Sequence, residues 1–146
     1  MHREIESACD DARSARAGGH RAEALAHYTH AVALARTGGD DDALAYVLRH
    51  LSDVAREQGE AANALAASEE AVALYRTRAP DSLDLANALR LRALALHALD
   101  RRVDAHPAWA EARDLYAQLG VDAGVRECER FLESAGSRGA TTPGTE

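Results

Sequence analysis

Residues 19–37, GHRAEALAHYTHAVALART, decide the fold, because they recur as residues 59–77, GEAANALAASEEAVALYRT, after a shift of 40. Eleven of the 19 positions are identical, including the block Ala-Val-Ala-Leu and the Arg-Thr pair that closes each copy. A third, more diverged copy follows after a shift of 41: Ala64, Ala71, Leu74 and Tyr75 return as Ala105, Ala112, Leu115 and Tyr116. A period near 40 residues marks units that cannot bury an apolar face alone and must stack on their neighbours.

Within each period two helical stretches are divided by a short breaker. In the second period Leu44, Val47, Leu48, Leu51, Val54 and Ala55 fall on one helical stripe, and Gly59 ends the stretch. Gly38-Gly39-Asp40, Ala79-Pro80-Asp81 and Leu119-Gly120 punctuate the chain between periods. There Pro80 forbids helix continuation, and Asp81 is the expected cap of the helix that follows. The pattern predicts seven helices, at residues 3–17, 20–37, 42–58, 60–78, 82–99, 103–119 and 122–135. Residues 135–146, AGSRGATTPGTE, are small and polar and are expected to form a disordered tail behind a helical domain at 1–134. Composition agrees: 34 Ala and 17 Leu in 146 residues, against 3 Pro and 6 aromatics, suit long helices and not pleated sheets.

At this point the residues resemble the tetratricopeptide repeat in a long-period form. Its pattern of Gly, Ala, aromatic and Ala reads Gly19, Ala24, Tyr28, Ala31 in the first repeat and Asp100, Ala105, Trp109, Ala112 in the third. The middle repeat has Gly59, Ala64, Ser68, Ala71, with Ser in place of the aromatic. The small residue in the middle of each first helix is Ala12, Ser52 or Ala93. The resemblance covers residues 1–134 and implies an all-α, right-handed α-solenoid of three helix-turn-helix repeats plus a C-terminal capping helix. Pro107 departs from the pattern. It fits if Asp104 caps a helix that begins at Ala105, because the first turn needs no donor from it.

The same resemblance implies a concave groove lined by the first helix of each repeat. The groove-facing positions are then Glu6, Cys9, Arg13, Arg16, Tyr46, Arg49, Asp53, Arg56, Asn87, Arg90, Leu94 and His97. Five of these twelve are Arg, although the chain carries a formal charge of −7 and no Lys at all. A planar guanidinium suits carboxylates, so one expectation is a groove for an acidic peptide or protein partner. The other is local pairing, such as Arg49 with Asp53 at i, i+4, that merely solvates a helix face. The clamp of chaperone-binding members needs Lys as well as Asn, and only Asn87 is present.

Other functions find little footing. An acidic chain is a poor generic binder of nucleic acid. No apolar run approaches a membrane span, and the charged start Met1-His2-Arg3-Glu4 offers no secretory leader, so a cytoplasmic location is expected. Cys9 and Cys128 lie near opposite ends and read as reduced thiols. His20, His27, His30, His50 and His97 form no metal-ligand motif and read as solvent-facing, so no metal or cofactor is expected. Asp40-Asp41-Asp42 reads as a helix cap rather than a calcium loop. Without a catalytic fingerprint the chain reads as a non-catalytic protein-interaction scaffold. Two alternatives stand beside it. One is a self-associating dimer, made through apolar surface on a weak first repeat. The other is a regulatory accessory acting in trans, since residues 115–125 resemble repeats of bacterial regulatory ATPases and transcriptional activators.

Overall fold

The computed structural model describes residues 2–140, with side chains through residue 134. Seven helices follow one another: α1 (Arg3–Ala17), α2 (Arg21–Gly38), α3 (Asp41–Glu57), α4 (Ala61–Arg78), α5 (Leu83–Ala98), α6 (Arg102–Leu119) and α7 (Asp122–Ala140). There is no strand among the described residues. The first six helices form three antiparallel pairs that stack into an all-α solenoid, and α7 packs on α6 as the cap. The helix α7 runs five residues beyond the predicted end at 135, so the first part of the expected tail is helical. Residues 141–146, the rest of that tail, lie outside the described residues.

Small side chains at the repeated positions let the paired helices meet. Ala24, Ala31, Ala64, Ala71, Ala105 and Ala112 are all buried, as are Ala12, Ser52 and Ala93 on the facing helices. Tyr28 and Trp109 fill the wedge beside them in the first and third repeats. In the middle repeat Ser52 Oγ donates to the carbonyl of Ala64 at 2.8 Å and Ser68 Oγ to that of Leu65 at 2.9 Å. Neither buried hydroxyl is therefore left without a partner.

All six connections share one device. The residue just before each new helix's cap is left-handed: Gly19, Gly39, Gly59, Asp81, Asp100 and Gly120, with φ between 60° and 85°. In five of them the next N–H reaches back to the helix just ended, as from His20 to Ala15 and from Glu60 to Ala55, both at 2.8 Å. The exception follows Pro80. There Ser82, not Asp81, caps α5 by accepting from the Leu85 N–H at 3.1 Å, because Asp81 is already committed to the left-handed turn. Asp104 likewise caps nothing. The helix α6 starts at Arg102, not at Ala105 as Pro107 alone would ask, and Asp104 pairs with Arg101, leaving Pro107 inside the helix. Pro107 and Val103, whose carbonyl loses its donor, are both exposed, so water can take the missing donor's place.

Candidate functional site

The first helices α1, α3 and α5 carry the inner-face residues, and the structure gives three of the five arginines there a carboxylate on the next repeat or on the cap. Arg16 of α1 reaches Glu57 of α3 through Nε at 3.0 Å and Nη2 at 2.6 Å, and Asp53 through Nη2 at 3.0 Å. Arg49 of α3 approaches Asp84 of α5 at 3.6 Å. Arg90 of α5 makes a two-point bond to Glu127 of α7, one arm at 3.0 Å. These pairs form an inner rail from the first repeat to the cap. Arg56 adds a bond to Asp53 at 2.5 Å within α3, and Arg13 bonds Asp10 within α1 and donates to the Tyr46 hydroxyl at 3.0 Å. The local pair Arg49–Asp53 does not form. Asp53 belongs to Arg16 and Arg56, whose bonds hold its carboxyl below the usual range although burial alone would raise it.

A second rail runs along α2, α4 and α6, and sequence reading missed it. Arg36 binds Glu70 with both arms, at 2.6 and 2.7 Å, and Arg76 binds Glu111 in the same way, at 2.5 and 2.8 Å. Arg36 and Arg76 are the Arg of the repeated Arg-Thr pair, and Glu70 and Glu111 correspond after the shift of 41. The signal was therefore present, but it becomes a contact only once the repeats are stacked. The rail stops at both ends: His30 stands where an acceptor would be in the first repeat, and Ala117 where a donor would be in the third.

The remaining inner-face residues divide by burial. Glu6 is exposed, whereas Cys9 is 1% exposed and belongs to the core, so the groove does not include it. Burial pushes both thiols up, that of Cys128 to about 11. Tyr46 is half-buried with the Arg49 guanidinium 5.8 Å above its ring. Asn87 accepts from the Tyr116 hydroxyl at 2.6 Å. Leu94 is half-buried, and His97 meets the ring of Phe131 on α7 edge-on at 5.2 Å. Phe131 also stacks on Trp109, with centroids 4.2 Å apart.

His50 is not solvent-facing. Its ring stacks on Tyr28 at 5.9 Å and tilts against Tyr46 at 4.5 Å, and its Nε2 is buried without a hydrogen-bond partner. Burial, aided by the nearby Arg49 charge, lowers its pKa to about 4. His27 and His30 flank an open groove between α1 and α2 that also meets Glu4 and Asp11. Among the described residues no three His, Cys, Asp or Glu side chains converge as metal ligands. No described helix is long and apolar enough to cross a membrane.

The solved structures that this chain resembles agree with its architecture. A TPR-like protein (ct2138) from Chlorobium tepidum matches with a TM-score of 0.71 and 19% identity, over 90% of this chain and 94% of that one. BtubC (BKLC) from P. vanneervenii matches with a TM-score of 0.56 and 13% identity, over 97% of this chain and 67% of that one. No family model matches the sequence, and no curated protein matches it. The fold is tetratricopeptide-like.

Proposed function

We propose that this tetratricopeptide-like chain is a non-catalytic scaffold that holds a peptide or partner protein against its inner face, in the cytoplasm. The observation that carries the reading is the inner rail. Ion pairs from Arg16 to Glu57 and Asp53, from Arg49 to Asp84 and from Arg90 to Glu127 tie helix to helix beneath that face. Side chains fixed in this way lose little freedom when a partner arrives, which lowers the cost of binding. The binding positions are Arg13, Arg16, Tyr46, Arg49, Asp53, Arg56, Asn87, Arg90, Leu94 and His97, and an acidic partner would exchange with the carboxylates already there. Pairing of two copies through the first repeat is less well supported, because Ile5, Ala8, Cys9 and Ala12 of α1 are buried within the chain.

Two double variants test this. Arg49→Gln with Arg90→Gln cuts the inner rail, while Arg36→Gln with Arg76→Gln cuts the outer one. The outer variant should lose about 1 kcal/mol or less per exposed pair in urea, and the inner variant, whose arginines are more buried, somewhat more. Affinity for a partner recovered by capture should fall at least tenfold, roughly 1.4 kcal/mol, only for the inner variant. Equal losses of affinity in the two variants would remove the inner face as the binding surface.

A further inference from the structure

Because each inner-face arginine of α1, α3 and α5 is already matched by a carboxylate or hydroxyl of the chain, those guanidiniums are poor candidates for a partner's first anionic contact. The groove between α5 and α7 differs. It is open, with a volume of about 510 Å³, within the range of ligand-sized clefts. Its apolar surface comes from Leu83, 46% exposed, together with Val121 and Ala123, over the buried ring of Tyr116. Gly124 forms its floor: a Cβ there would lie 2.5 Å from Tyr116 Cγ, so α7 rests directly on the ring with no side chain between.

The polar rim of the same groove is asymmetric. Arg90 and Glu127 neutralise one another. Asn87 has its carbonyl oxygen occupied by the Tyr116 hydroxyl, which leaves the two amide N–H groups of its side chain to donate. Arg130 lines the groove, is exposed, and forms no ion pair among the described residues. One unmatched cation beside one internally neutral pair suits a single negative charge. A polyanion such as nucleic acid would meet Glu127 and the chain's overall charge of −7.

We infer that the groove between α5 and α7 seats a partner-protein peptide segment that carries an apolar side chain beside a carboxylate, the apolar group resting on Leu83 and Val121 and the carboxylate on Arg130. This deepens the inner-face reading and rests on it.

The test is a titration of the isotope-labelled full chain, followed by amide chemical shifts, with blocked Gly-Ser peptides of varied centre. The centres are Leu-Asp, Leu-Asn, Ser-Asp and Leu-Lys, and a fifth peptide ends in Leu with a free terminal carboxylate. Leu-Asp, or the free-carboxylate peptide if the anion is a chain terminus, should shift the amides of Ala123 and Gly124. It should bind about tenfold tighter than Leu-Asn, the weight of one charge-assisted hydrogen bond. Arg130→Gln should abolish that preference and leave Leu-Asn binding unchanged, whereas Arg126→Gln on the same helix should preserve it. Shifts confined to α1 and α3, or a preference that survives Arg130→Gln, would overturn the subsite while leaving the inner-face reading intact. Shifts confined to α2, α4 and α6 would overturn both.

Discussion

At the scale of single residues the largest departure from sequence expectation is His50. A histidine on an Ala- and Leu-rich helix carries no mark of burial, because the Tyr28 and Tyr46 rings that enclose it come from another helix and from its own preceding turn. Its folded pKa, about 4, lies below the unfolded value of 6.5. The neutral form is therefore favoured by folding. The stability it permits is complete above pH 6.5 and is lost as the pH falls from 6.5 through 4. Arg49, Arg13 and Arg16 oppose its protonation, and Asp53 alone favours it. His50→Phe keeps an aromatic ring in the stack and removes the proton. Urea melts at pH 7 and pH 4.5 should show the parent losing on the order of 2 kcal/mol more than the variant between the two pH values. Equal losses would mean that His50 titrates normally. The carboxylates of Asp53 and Glu70, held low by their arginines, lose stability at lower pH in both proteins and do not affect the comparison.

Among the elements, helix positions were legible to within a residue or two for the first six, because apolar periodicity and the Gly punctuation are local properties of the chain. What was not legible was the choice between neighbouring caps. Asp81 and Ser82 are both good N-caps, and the choice fell to Ser82 only because the turn after Pro80 needs its left-handed residue at Asp81. Pro107 was misplaced for a related reason: its exposed position lets the solvent-facing side of α6 tolerate a missing donor. The cap helix α7 depends on a close approach that no pattern displays, Gly124 against the Tyr116 ring. Gly124→Ala should push α7 off α6 at a cost of about 1–3 kcal/mol. The sole tryptophan, Trp109, is stacked under Phe131 and reports the change. A red-shifted emission in the variant is expected, and an unchanged spectrum with unchanged stability would show that α7 is not seated as described.

For the molecule as a whole, the repeat period carried the architecture, and the charge pattern carried less than it promised. Five arginines on the inner face look like a cationic groove when they are counted without partners. Stacked, each donor of the inner rail meets a carboxylate 35 to 41 residues further on. The outer rail obeys the same rule, at 34 and 35 residues, and stops at His30 and Ala117. Only after this pairing does the less conspicuous Arg130 emerge, on a helix that reads in sequence as a plain solvating cap. Hydrogen–deuterium exchange of the full chain, with and without its captured partner, tests the inner-face claim most directly. The account predicts added protection in α1, α3, α5 and the first turns of α7, with α2, α4 and α6 unchanged. Protection confined to α2, α4 and α6 would contradict it.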